Sequence, residues 1–234
     1  MKIIAIVPAR GASTRIPRKN IVDLCGKPMI SWTIEAALEA NCFDKILVST
    51  EDAEIAEIAK NNGAEVPFLR SSRFDNVSPI SEATSLAVTQ AESFWGENYD
   101  VVVQLMANCP IRDCQDIRSS LSNFKVNNFI AQISCFKFGF MNPWWSATLD
   151  LSNKPQYLFP ESRIQRSQDL PNLYCPSGAV WIALVEDLKK YNTFYSPDHI
   201  FFPLNWISAL DIDDYDDLEM AKILLTYKNH KNSA

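Results

Sequence analysis

Short runs of β-branched and aliphatic residues alternate with longer amphipathic ones from the start of the chain. No other feature limits the possible folds as much. Ile3 to Val7 is apolar throughout, as in a strand covered on both faces. Ser31 to Ala40 follows Pro28 and places Trp32, Ala36, Ala37 and Ala40 at helical spacing. Lys45 to Ser49 reads as a strand. Asp52 to Asn61 reads as a helix with Ile55, Ile58 and Ala59 inward and Gly63 just past its end. Glu65 to Leu69 predicts a strand, Arg70 to Pro79 a polar loop, and the residues up to about Trp95 a helix. Tyr99 to Leu105 predicts another buried strand, Asp113 caps a helix to Phe124, and Phe129 to Cys135 predicts the next strand.

This order builds a parallel α/β sheet with right-handed crossovers. Ligands of such sheets bind at the carboxyl ends of the strands. Attention therefore falls on Ala9 to Asn20, Arg70 to Ser81 and Met106 to Arg112. The rhythm stops at about residue 136 and resumes at Gly178 to Ile182, before a closing helix from about Tyr215 to Tyr227. The interruption is too long for a plain loop. We read residues 1–234 as a single domain with an arm inserted at about 136–176, carrying short strands of its own and suited to exchange with a second subunit.

Composition removes several classes. With 47% apolar residues the chain can bury a sizeable core, which excludes a disordered chain. Its net charge of −6 argues against general nucleic-acid binding. No run of 18 apolar residues predicts a membrane span, and Pro8 and Arg10 end the first apolar run too early for a leader. None of the six cysteines forms a CxxC pair and there are two histidines, so a zinc site is not expected. Reduced, mostly buried thiols and a cytoplasmic location are expected.

Three constellations could carry chemistry. The first, Pro8 to Asn20, holds Arg10, Arg15, Arg18 and Lys19 among small residues directly after the first strand. Backbone N–H groups there can approach phosphate oxygens while the cations neutralise them; a solvated basic loop is the plain alternative. The spacing is neither GxGxxG nor GxxxxGK[ST], so neither a dinucleotide fold nor a P-loop is indicated. The second is Asp211-Ile212-Asp213. Residues two apart in an extended segment face the same way, so it presents paired carboxylates suited to Mg²⁺. Asp214, Asp216 and Asp217 read instead as a helix start. The third is Arg166 to Pro171 in the arm, where Arg166 and Gln168 could grip a carboxylate and hydroxyls, or could form an exposed rim.

Ile6-Val7-Pro8-Ala9-Arg10-Gly11, continuing through Ile16-Pro17-Arg18-Lys19-Asn20 to Gly26-Lys27-Pro28-Met29-Ile30, resembles the signature of sugar nucleotidyltransferases. Within these it resembles the cytidylyltransferases that activate acidic nine-carbon keto sugars, the N-acylneuraminate group. Arg70 with Ser81 resembles that group's cytidine-recognising loop, Asn108 to Arg112 its T-S-P-L-R turn, Gln168-Asp169-Leu170-Pro171 its Q-D-L-P, and Asp211-Ile212-Asp213 its metal-binding end. The resemblance covers nearly the whole chain.

It implies a Rossmann-like nucleotidyltransferase fold with a protruding dimerisation arm, and an enzyme that joins CTP to an acidic keto sugar and releases pyrophosphate. The nucleotide would be held by Arg10, Gly11, Ala12, Ser13, Arg15, Lys19, Asn20, Arg70, Ser81 and Asn108. Mg²⁺ would sit on Asp211 and Asp213, which with Arg10 and Lys19 form the catalytic set. Met106, Arg166, Gln168 and Ser177 would face the sugar. A homodimer is implied, with no nucleic acid or membrane partner.

The chain departs from the family pattern at Thr14, where a lysine is usual and Arg15 follows. It departs also at Met106 for glutamine, at Ser177 for asparagine, and at Trp145 for an arm lysine. Most of these lie where the family reads the sugar, which predicts a preference for a 5,7-diacylamino nonulosonic acid over N-acetylneuraminate. A 3-deoxy-octulosonate cytidylyltransferase stays open, since Ser13-Thr14-Arg15-Ile16-Pro17 also resembles that group. A catalytically inactive nucleotide-binding module stays open too.

Overall fold

The computed structural model describes residues 1–70 and 79–232. In chain order the elements begin with strands β1 (Ile3–Pro8), β2 (Asp23–Leu24) and β3 (Lys27–Pro28), then helix α1 (Met29–Ala40), β4 (Lys45–Ser49) and α2 (Ala53–Asn61). Next come α3 (Ile80–Trp95), β5 (Val101–Gln104), α4 (Cys114–Val126) and β6 (Ala131–Lys137). The chain then forms β7 (Ala147–Leu149), β8 (Pro155–Tyr157), β9 (Tyr174–Leu184), α5 (Val185–Tyr191), β10 (Ile200–Pro203) and α6 (Tyr215–Asn232).

Six strands form one sheet in the order β10-β6-β9-β5-β1-β4. β1 pairs in parallel with β4 and β5, and β10 in parallel with β6. β9 runs antiparallel to both β5 and β6. Five strands therefore point one way and one returns. The sheet is parallel-dominant, as expected, with β9 longer than the predicted Gly178 to Ile182 and reversed. A continuous apolar run buries both faces in either direction, so composition alone does not set strand direction. α5 and β10 were not anticipated from the sequence.

The predicted Glu65 to Leu69 strand reduces to a single bridge between Leu47 and Glu65. Pro67 follows two residues on and has no N–H to give to a ladder. Of the predicted Arg70–Pro79 loop, residues 71–78 lie outside the described residues. Helix α1 begins two residues before the expected start. Asp113 caps α4 through a reciprocal capping box with Asp116, and Asp52 caps α2 through Glu54 N and Ile55 N.

Alternate residues of β1 serve two cores. Ile3, Ala5 and Val7 join Ile34, Val103, Ile117 and Ile182 on one side. Ile4 and Ile6 join Val88, Val102, Trp181 and Phe194 on the other. Each buried Val, Ile or Phe among them contributes about 1.5–3 kcal/mol on burial. A third cluster joins Ile16, Leu24, Met29, Ile111 and Ile212 to Leu218, Ala221 and Leu225 of α6. It ties the loop after β1, the turn after β5 and the approach to α6 into one unit.

Residues 138–173 stand outside the sheet. The β7–β8 hairpin pairs Ala147 with Tyr157 through Leu149 with Pro155. The segment is tied mainly to itself. Phe138 N donates to Leu173 O (3.0 Å), Trp144 Nε1 to Pro171 O (2.9 Å) and Trp145 Nε1 to Ser162 O (3.2 Å). All six cysteines are free. Cys109 and Cys135 are buried, Cys42, Cys114 and Cys175 half-buried, and Cys25 exposed, so fewer thiols are enclosed than expected. Among the described residues no helix is long and apolar enough to cross a membrane.

Candidate active site

The carboxyl ends of β1, β4, β5, β6 and β10 and the start of β9 lie at one end of the sheet. That end carries the loop Ala9 to Arg18, residues 50–52, the turn 105–112, the arm, and the approach to α6. Two cations of the segment after β1 converge on Asp213 in the approach to α6. Lys19 Nζ donates to Asp213 Oδ1 (3.1 Å) and to Ile212 O (2.7 Å), while Arg15 Nη2 lies 2.9 Å from Asp213 Oδ2. Burial works against ionisation of Asp213, but the Lys19 ammonium and Arg15 guanidinium outweigh it and hold its carboxyl below the ordinary value.

Asp211 is the contrasting neighbour. Burial, and then the charge of Asp213, push its carboxyl up to about 6. Asn108 Nδ2 donates to Asp211 Oδ1 and to Ile212 O (3.2 Å), and Ile212 N returns a bond to Asn108 O (2.8 Å). Ile212 itself is fully buried. Asp211 and Asp213 thus flank a buried apolar residue. Asp214 and Asp217 exchange bonds at the start of α6: Asp214 Oδ1 accepts from Asp217 N (3.1 Å) and Asp217 Oδ2 from Asp214 N (3.1 Å). These are the helix-start contacts expected of them.

The donor set suits a hard divalent cation. Among the described residues no group of three His, Cys, Asp or Glu side chains is arranged around one point. Two carboxylates are nevertheless the complement with which Mg²⁺ is often held beside phosphates. A cation would also offset the cost of ionising buried Asp211.

The loop after β1 is anchored from below by residues that sequence reasoning passed over. Gly11 N donates to Glu51 Oε1 (2.6 Å), so this N–H is already engaged. A Cβ at Gly11 would fall 2.5 Å from Asp52 Oδ2, which explains the glycine. Arg18, with φ 55°, forks onto both oxygens of Asp52 (2.9 and 3.0 Å) and reaches Glu54 (2.8 Å). Buried Asn20 donates to Arg10 O (2.8 Å). Ser13 is half-buried, and Arg10, Ala12 and Arg15 are exposed. Arg70, almost wholly buried, places Nε and Nη2 on Glu51 Oε2 (2.9 and 2.6 Å). Buried Ser81 sits in the first turn of α3, where its hydroxyl accepts from Phe194 N (3.4 Å).

Beneath the turn after β5 lies Arg112, fully enclosed. It donates to Ala179 O (2.8 Å), Thr33 Oγ1 (2.9 Å) and Met106 O (3.1 Å), and burial lowers its pKa to about 10. It binds β9, α1 and the turn together. Met106 N also donates to Gly178 O (3.2 Å), and a side chain at Gly178 would strike the Met106 thioether. Ser177 is buried, with its hydroxyl 3.1 Å from that of Ser134. Arg166 is exposed and forks onto Asp169 (2.7 and 3.1 Å), and Gln168 is exposed beside it. The chain therefore gathers Arg15, Lys19, Asn108, Asp211 and Asp213 directly. Gly11 and Arg70 meet through Glu51, while Arg166 and Gln168 stand apart in the arm.

Glu51 and Asp52 could have been found. They follow β4 at its carboxyl end, the position where this class of sheet builds sites.

Residues 4–174 match the family model described as cytidylyltransferase. The chain belongs to the cytidylyltransferase family. It is 36% identical, over the full length of both chains, to the pseudaminic acid cytidylyltransferase of Campylobacter jejuni subsp. jejuni. It is 32% identical to the CMP-N,N'-diacetyllegionaminic acid synthase of Legionella pneumophila, over 96% of this chain and 97% of the other. Among solved structures it resembles a CMP:2-keto-3-deoxy-manno-octonic acid synthetase complexed with CTP, with TM-score 0.73 and 16% identity, over 97% of this chain and all of the other. That last likeness is one of fold. The Rossmann-like nucleotidyltransferase fold and the enzyme class expected from the sequence both hold, and the inactive-module alternative is set aside.

Proposed function

We propose that this enzyme joins CTP to a nine-carbon keto-sugar acid of the 5,7-diacylamino class, pseudaminic or legionaminic acid, forming the CMP-sugar and pyrophosphate. The observation that carries this reading is full-length identity of 36% and 32% to relatives named for those two acids. The wall at the β5–β9 junction supports it. Met106 packs against Gly178 where the family resemblance has a glutamine, so this junction carries a thioether in place of an amide. An acylamino methyl suits such a surface better than a hydroxyl, which would lose a partner at about 1–3 kcal/mol. The octulosonate alternative has behind it the Ser13 to Pro17 resemblance and a likeness of fold at 16% identity.

In this reading the sugar's anomeric hydroxyl attacks the α-phosphorus and pyrophosphate leaves. Such chemistry asks mainly for alignment and charge neutralisation. Arg10, Ser13, Arg15 and Lys19 cradle the triphosphate, with Gly11 and Ala12 shaping the loop. Lys19 and Arg15, now on Asp213, exchange that carboxylate for phosphate oxygens. Asn20, Arg70 and Ser81 hold the cytidine, and Asn108 orients Asp211. Asp211 and Asp213 would hold Mg²⁺, which when bound supplies charge neutralisation at the phosphates. One of the two carboxylates receives the hydroxyl proton.

The arm completes the sugar side from a second copy, in a cytoplasmic homodimer. Phe140 and Ile164 are almost fully exposed there, as is Leu151, and isolated chains rarely display so much apolar surface together. Arg166 and Gln168 of the arm would grip the sugar acid, with Met106 and Ser177 at the pocket wall.

A pyrophosphate-release assay with CTP and three acids tests the substrate. kcat/KM should be greatest for pseudaminic or legionaminic acid. A value for N-acetylneuraminate about tenfold above both, or 1.4 kcal/mol, would refute the preference.

A further inference from the structure

We propose that Glu51 is a positioning residue for the nucleotide side of the reaction, coupling the loop after β1 to Arg70 and setting how Arg70 meets the nucleotide. The inference rests on the reading of Arg70 as a nucleotide contact.

Glu51 is an unusual acid for the end of a strand, because both oxygens are spoken for and the side chain is only 17% exposed. Oε1 accepts the Gly11 N–H from one loop (2.6 Å). Oε2 accepts Nε and Nη2 of Arg70 from another (2.9 and 2.6 Å). A carboxylate removed from water costs free energy unless paired, and here the pairing joins two segments 59 residues apart in sequence. Two donors from one guanidinium fix its plane. Nη1 lies outside that fork, so Glu51 sets the direction in which Nη1 can donate.

The backbone repeats the link. Ala9 N donates to Ser49 O (3.0 Å) and Arg70 N to Thr50 O (2.9 Å). Residues 49–51 thus form a strut between the two loops. Asp52 closes the other side, because Gly11 has no room for a side chain against it. Gly11 is held by its N–H and by contact, so a shift of the phosphate-side loop passes through Glu51 to Arg70. Nothing in this arrangement touches the sugar-side residues Met106, Arg166 or Gln168.

The test uses the purified full chain with Glu51→Gln, which keeps the side-chain shape, and Glu51→Ala. Glu51→Gln should raise KM for CTP about tenfold or more while kcat and KM for the sugar acid stay within about threefold. Glu51→Asp should restore part of the loss. In a double-mutant cycle, Arg70→Ala should add little to Glu51→Ala, whereas Lys19→Ala should multiply its effect. Full multiplication of the Glu51→Ala and Arg70→Ala losses would overturn the proposal. So would equal losses in CTP and sugar constants together with a lowered Tm in Glu51→Gln, since that is the pattern of a structural role. If Glu51→Ala fails to fold, Glu51→Gln and Glu51→Asp decide by the same KM split. If Arg70→Ala leaves KM for CTP unchanged, the nucleotide role of Arg70 fails and the inference with it. If Arg70→Ala raises KM and Glu51→Gln does not, the inference alone fails.

Discussion

The nucleotide end of the sheet and the arm are built on opposite plans. At the sheet end, Arg15, Lys19, Arg70, Asn108 and Asp213 all bond to residues distant in sequence, over a shared apolar base of Ile16, Ile111 and Ile212. In the arm, Arg166 bonds to Asp169 three residues away, and Leu149, Leu151 and Leu158 face outward. The first region is pre-organised within one chain. The second exposes large apolar side chains, Phe140, Leu151 and Ile164 among them. Single-chain interactions can therefore shape the phosphate chemistry, while in the proposed function the sugar contacts ascribed to the arm call for a second copy.

Five expected outcomes would sharpen or break this contrast. The largest effect belongs to Asp213→Asn, which removes a charged oxygen ligand and the partner of both cations; kcat should fall about 10³-fold with the circular dichroism spectrum unchanged. Retention of kcat within tenfold would detach Asp213 from the chemistry. Next, Lys19→Ala should cut kcat/KM for CTP by about 10²-fold, read by initial rates, and an unaltered value would mean the loop is not a triphosphate cradle.

Arg166→Ala should raise KM for the sugar acid about tenfold and leave KM for CTP alone. Light scattering at micromolar concentration should give twice the mass of one chain, and a single-chain mass would leave the arm residues without the site ascribed to them. The smallest effect is expected of Asp214→Ala. Loss of an N-cap costs about 1 kcal/mol of stability, seen as a lower Tm, with kcat within about threefold. Kinetic losses equal to those of Asp213→Asn would dissolve the distinction drawn between these neighbouring acids.

Much of the nucleotide end was legible in the sequence, because its signals are local. The apolar Ile3 to Val7 run, the cation-rich loop directly after it and the Asp-Ile-Asp alternation each follow from spacing a few residues long. The cap at Asp113 and the Asp214–Asp217 pair were legible for the same reason, since a cap is satisfied within one turn.

Other features depended on where distant segments land. The reversal of β9 is one, because a strand buried on both faces carries no mark of direction. Glu65 to Leu69 has strand composition, yet Pro67 leaves it a single bridge. Glu51 is one acid among 28 acidic residues until the fold sets Gly11 and Arg70 on either side of it. The enclosure of Arg112 is set only where α1, β9 and the turn after β5 close around it. The sequence by itself determined the order of most strands and helices and the residue types brought to the carboxyl ends, because propensity and periodicity act between near neighbours. Only the tertiary structure decided which charges pair and which are enclosed, because those energies depend on distance and burial between segments far apart in the chain.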